Sequence, residues 1–109
     1  MKANKLSELC GLKEVVLKNP ESEINSLYCC DLLSIVMGRA PQNAAWVTIM
    51  GNVNSVAVAS LAEISAIILA DGVKPDANAL KKAEENGINI LLSDEPIFET
   101  ALKIHKVLD

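Results

Sequence analysis

The residues whose types and spacing could do chemistry sit in a turn, Gly51-Asn52-Val53-Asn54, between the apolar segment Trp46-Val47-Thr48-Ile49-Met50 and a run of small residues. A glycine there admits close backbone approach. Two asparagine amides, at what should be a helix N-terminus, donate and accept hydrogen bonds without carrying charge. That chemistry suits a nucleotide or another small polar ligand. The loops Asp71-Gly72-Val73-Lys74 and Ser93-Asp94-Glu95 follow apolar segments in the same way, so Asp94 joins Gly51, Asn52 and Asn54 as a candidate ligand contact. The turn carries neither the Gly-x-Gly-x-x-Gly dinucleotide fingerprint nor the Gly-x-x-x-x-Gly-Lys-Ser/Thr phosphate loop, and Asp71 and Asp94 would repel a polyanion. The competing reading is plain capping, with Asn54 or Ser55 closing the first turn of the helix.

Residues for intrinsic catalysis are few. His105 is the one histidine, and it falls at the spacing of the last helix's apolar face, so packing competes with a general-base role. Ser34 lies inside an apolar helical run with no histidine near it in sequence, and Asp31 and Asp94 stand where helices should start. No catalytic residue is assigned, and the protein is expected not to be an enzyme. Three cysteines, Cys10, Cys29 and Cys30, form no Cys-x-x-Cys pair and leave an odd count, unlike a secreted disulfide framework. The vicinal pair could bind a soft metal or switch redox state, but no second pair completes four ligands. No metal and no cofactor is expected, and the cysteines read as small buried apolar residues.

The elements that must hold these loops are readable from periodicity and punctuation. Leu6, Leu9, Cys10 and Leu12 recur at helical spacing around the stop signal Gly11. A strand over 14–17 and a turn over 18–22 follow, then a short extended segment over 24–28. From about residue 30, Leu32, Leu33, Val36 and Met37 form one helical face, with Asp31 in the first turn, and 38–41 end it. The strand over 46–50, the small-residue helix and a strand over 66–70 make a βαβ unit. Asp76 should cap a helix over 77–86 closed by Gly87. A strand over 89–92, a Ser93-Asp94 cap and Pro96 in the first turn lead into a last helix. Its expected core face is Ile97, Phe98, Ala101, Leu102, His105 and Leu108. Strand and helix alternate from residue 45 onward, which predicts one domain over 1–109: a three-layer α/β/α fold with a mostly parallel sheet of about four to five strands.

At 109 residues the chain suffices for one core, and such a domain buries roughly two thirds of its unfolded surface. Apolar residues make up 50% and aromatics only 3%, so the core should be aliphatic and the apolar excess should leave a face for a partner. A homodimer is the expectation. A net charge of −4, with Lys81-Lys82 the longest basic run, excludes nucleic-acid binding driven by phosphate neutralisation. No apolar run approaches the roughly 20 residues needed to span a bilayer, and the first residues do not resemble a signal peptide. The expectation is a cytoplasmic protein that does not bind membranes.

One resemblance adds to this reading. Tyr28-Cys29-Cys30-Asp31-Leu32-Leu33-Ser34-Ile35-Val36-Met37, Trp46-Val47-Thr48-Ile49, Asn52-Val53-Asn54-Ser55-Val56-Ala57-Val58-Ala59, Ala66-Ile67-Ile68-Leu69 and Leu91-Leu92-Ser93-Asp94 occur in this order, and together resemble a stand-alone DRTGG-domain protein. The resemblance extends to the N-terminal domain of HPr kinase and to the DRTGG domain of CBS-type pyrophosphatases. It implies an α/β regulatory module that supports dimerisation, senses a ligand such as an adenine nucleotide, or signals to a partner protein. A pure interaction module with no ligand is the alternative. Kinase activity does not follow, because the phosphate-binding loop is missing. The residues carried over by the resemblance are Tyr28, Asp31, Ser34, Thr48, Asn52 and Asn54. The chain departs from the family where Thr-Gly-Gly is usual, with Asn25-Ser26-Leu27, and has Cys30 in place of a glycine. These bulkier residues would close a backbone approach that glycines permit.

Overall fold

A computed structural model describes residues 1–108, which form five strands and five helices in the order α1 (Ala3–Cys10), β1 (Lys13–Val16), β2 (Ser26–Cys29), α2 (Leu33–Arg39), β3 (Ala44–Thr48), α3 (Val53–Leu61), β4 (Ala66–Leu69), α4 (Ala77–Asn86), β5 (Asn89–Leu92) and α5 (Ile97–Leu108). The strands form one sheet ordered β1-β5-β4-β3-β2. β2 to β5 run parallel, and β1 returns antiparallel along β5. The expected three-layer fold with a mostly parallel sheet is therefore the one observed.

From β2 to β5 each crossover steps one strand along the sheet in the same direction, and a common hand then puts all three connecting helices on one face. Val36 of α2, Val56 and Ala59 of α3, and Ala79 and Ala83 of α4 pack there with Trp46, Ile67, Leu69 and Ile90. The opposite face takes Ala3, Leu6 and Cys10 of α1 and Ile104 of α5, against Ala45, Val47, Ile68 and Leu91. Strand residues alternate between the two clusters because successive side chains point to opposite faces. β3 and β4 are buried along their whole length, which is why they read as unbroken apolar runs rather than alternating ones.

Helix ends follow local chemistry where the chain supplies it. Asp76 accepts a hydrogen bond from the Ala79 N–H at 2.8 Å and starts α4, and Gly87 ends it at φ 68°. Asn89, 1% exposed, straps three segments together. Its Oδ1 accepts from the Asn19 N–H at 3.0 Å, and its Nδ2 donates to the carbonyls of Asn19 at 2.8 Å and Ser65 at 3.0 Å.

The structure corrects four expectations. β3 covers Ala44–Thr48 rather than 46–50, so Ile49 and Met50 lie beyond the sheet. α2 begins only at Leu33, and Asp31 stands outside it because its carboxylate is engaged at the end of β3. α3 is capped by Asn52 rather than by Asn54 or Ser55: the Asn52 Oδ1 accepts from the Ser55 N–H at 3.0 Å. α5 keeps part of the expected face, since Ile97 and Leu108 pack against the core and Ala101 is half-buried, but its fully buried positions lie one residue away. Thr100 and Ile104 face the sheet, while His105 is exposed and Phe98 and Leu102 are 69% and 39% exposed. The helix carries apolar residues on two stripes. The Thr100 stripe faces inward because the Thr100 hydroxyl lies 2.7 Å from the Ser93 hydroxyl and donates to the Glu95 carbonyl at 3.1 Å, anchoring the first turn.

Candidate functional site

The carboxyl ends of the parallel strands, where ligands bind in open α/β sheets, carry most of the candidate residues. At β2 and β3 the loops are bound to one another. The Asp31 Oδ1 accepts from the Thr48 hydroxyl at 2.6 Å and the Ile49 N–H at 3.1 Å, and the Thr48 Oγ1 accepts from the Met50 N–H at 3.3 Å. Thr48 is fully buried and Asp31 exposed, so the pair ties the loop after β2 to the end of β3 and leaves Asp31 Oδ2 toward solvent. Around it Leu32, Ile35, Ile49 and Val53 are exposed apolar side chains.

Gly51 is set by packing between loops. An added Cβ would stand 2.9 Å from the Lys74 carbonyl oxygen and 3.1 Å from the Pro75 Cα, and the Gly51 carbonyl already accepts from the Asp76 N–H at 3.0 Å. Any side chain there forces the β3–α3 and β4–α4 loops apart. Below this contact Met50, Leu69, Pro75, Ala79 and Ile90 leave no water-sized space. The Asn52 Oδ1 is committed to its cap, and Asn52 and Asn54 are exposed at the start of α3. The structure thus brings Asp31, Thr48, Gly51 and Asn52 to one edge, and it closes the space beneath Gly51. Tyr28 is half-buried on β2 against the α2 side of the core, and Ser34 is exposed on α2. Ser34 and His105 belong to helices on opposite faces of the sheet and cannot act as a nucleophile and base together.

The connections change faces only at β4 and β5, since α4 follows β4 onto one face and α5 follows β5 onto the other. Directly between these strands the loops are zipped, with the Asp71 N–H donating to the Glu95 carbonyl at 2.7 Å and the Gly72 N–H to the Ser93 carbonyl at 3.0 Å. The open space is displaced toward β1. Two adjoining depressions of about 260 and 300 Å³ lie there, one reaching Gly72 and Asp94, the other Pro75 and Leu80, and both are lined by Lys13, Lys74 and Leu92. Asp94 is therefore beside an open part of the edge, apart from Asn52 and Asn54. Sequence reasoning passed over both lysines as site residues. Lys74 stood in a named loop, but nothing near Lys13 in sequence signals that β1 returns beside β5.

Cys10 is buried, Cys30 half-buried and Cys29 exposed, which corrects the expectation that all three are core residues. Partial burial first, and then the Asp31 carboxylate, push the Cys29 thiol above its ordinary pKa, the opposite of an activated cysteine. The Cys30 sulfur accepts from the Leu32 N–H at 3.4 Å. No group of three or more His, Cys, Asp or Glu side chains among the described residues is placed to hold a metal ion. No helix among them is long and apolar enough to cross a membrane.

These features define an α/β module whose edge binds loop to loop and whose open groove carries Lys13 and Lys74 together with Glu14 and Asp94. The chain belongs to the DRTGG-domain family: the family model matches residues 21–107. No curated protein matches the chain. Among solved structures it is similar to the CBS and DRTGG domains of the regulatory region of Clostridium perfringens pyrophosphatase, complexed with the activator diadenosine tetraphosphate. The identity is 10%, the TM-score 0.73, and the match covers 94% of this chain and 45% of that one. The chain spans less than half of that structure, and at such identity the likeness is one of fold. The resemblance drawn from the sequence motifs holds.

Proposed function

We propose that this chain is a non-catalytic regulatory module that binds a nucleotide or another small polar ligand and passes its state to a second copy of itself or to a partner protein. The observation that carries the reading is family membership over residues 21–107; the solved relative's regulatory region is complexed with a nucleotide activator. Two features of this chain agree with it. An open groove lies at the carboxyl end of β5 beside β1, on the edge of the sheet where ligands bind in open α/β folds. The exposed stripe of Phe98 and Leu102 on α5 suits a homodimer contact.

The closed crevice at Gly51 and the apolar side chains exposed at Ile49 and Val53 favour a second reading, an interaction module with no ligand. A thermal-shift panel of nucleotides, dinucleotides and phosphorylated metabolites separates the two. A ligand at a hundred times its dissociation constant adds about 2.7 kcal/mol, on the order of 10 °C for a domain of this size. The sensing reading expects a rise confined to one chemical class. A flat panel contradicts it and leaves the interaction module.

A further inference from the structure

We infer that the groove between β1, the β4–α4 loop and the end of β5 is a phosphomonoester site of nucleotide size, with the phosphoryl group held between Lys13 and Lys74; the inference rests on the sensing reading above. Lys13 and Lys74 are exposed and line both depressions, and among the described residues neither is in an ion pair, with Glu14 and Asp94 on the same walls or with any other carboxylate. Both lysines line the same groove, so a phosphoryl dianion there is attracted by both ammonium groups. The remaining lining fits the rest of such a ligand. Pro75, Leu80 and Leu92 form an apolar ledge on one side, suited to a flat ring. Asp94, on the other side beside Gly72, can accept a hydrogen bond from a ligand hydroxyl or amino group. Its negative charge favours a single phosphoryl group over a long polyphosphate.

Two larger hollows are weaker candidates. That of about 590 Å³ lies over α1 and carries Lys5 opposed by Glu8 and Glu14. The one of about 550 Å³ ends at Leu108, beside the last residue, which is not described. Lys13 lies outside the residues matched by the family model and Lys74 within them.

Titration of the full chain with adenosine monophosphate, adenosine and inorganic phosphate tests the site. Wild-type protein should bind the monophosphate at least tenfold more tightly than adenosine, with phosphate competing. The double variant Lys13→Gln/Lys74→Gln should weaken binding of the monophosphate at least tenfold while keeping its ligand-free thermal midpoint, because both side chains are exposed. Unchanged binding by the double variant overturns this site and leaves the sensing reading standing. Equal affinity for adenosine and its monophosphate overturns phosphoryl recognition. No binding of the monophosphate at millimolar concentration overturns the site too, and the sensing reading then stands or falls on the rest of the panel.

Discussion

Trp46→Ala should destabilise the protein by about 3–5 kcal/mol, a large part of the roughly 5–15 kcal/mol that holds a domain folded. Trp46 is fully buried in the middle of β3, packed in one cluster with Val36 of α2, Val56 of α3 and Ile67 of β4. It is the largest side chain in a cluster whose other buried members are Val, Ile, Leu and Ala. The indole also has a polar duty. Its Nε1 donates to the Cys30 carbonyl at 2.9 Å and so holds the loop between β2 and α2. Truncation therefore combines a cavity with an unpaired carbonyl in the segment that carries Asp31. Denaturant unfolding followed by circular dichroism is the measurement, since no other tryptophan exists to report by fluorescence. The midpoint should fall at unchanged slope. Trp46→Phe keeps most of the packing without the donor and should lie between the two. A Trp46→Ala variant within about 1 kcal/mol of wild type would contradict this account of the core.

The second large effect should come from a polar residue. Asn89→Leu keeps the branched heavy-atom skeleton at the start of β5, with a bulkier end, but removes one acceptor and two donated hydrogen bonds, leaving the Asn19 N–H and the Ser65 carbonyl without their partner while the Asn19 carbonyl keeps the Ser22 N–H at 3.1 Å. Orphaned buried polar groups cost about 1–3 kcal/mol each, part of which water recovers at the partly exposed Asn19, so a total of about 3 kcal/mol is expected. The loss should be local as well as global. The amides of Lys18 and Asn19 and of β1 should exchange faster with solvent than those of β3, because Asn89 fastens the start of the β1–β2 connection to the sheet. Wild-type stability in Asn89→Leu, or loosening spread evenly over the sheet, would show that the strap carries nothing.

Much of this fold could be read from local sequence, and the exceptions share a cause. α4 and β5 came out with their observed bounds because Asp76, Gly87 and the short apolar run after it are local signals whose meaning does not depend on distant contacts. Parallel β3 and β4 were legible as apolar runs because burial on both faces removes alternation. What failed depended on partners far along the chain. Asp31 looked like a helix-start residue, but Thr48, 17 positions later, takes its carboxylate. On α5 the expected face holds at Ile97 and Leu108 but not at Phe98, Leu102 and His105, because the hydroxyl of Thr100 meeting Ser93 and the Glu95 carbonyl turns the helix toward Thr100 and Ile104. Gly51 was legible as a glycine that permits close approach. What approaches is the backbone of Lys74 and Pro75 rather than a ligand. Of the candidate site, the carboxyl edge and Asp94 were legible. Lys13 was not, because its place depends on an antiparallel pairing with Leu92 at the far end of the chain.

In a module of this kind ligand state and association are coupled, and the coupling is reciprocal between the two equilibria. The most direct measurement is the dimer dissociation constant by analytical ultracentrifugation, with and without a saturating amount of the nucleotide that raises the thermal midpoint most. The account predicts a reversible dimer, weakened by Phe98→Asp, whose dissociation constant moves about fivefold or more when the ligand is bound. A chain that is monomeric at every concentration, or a dimer whose constant is the same with and without ligand, would contradict it.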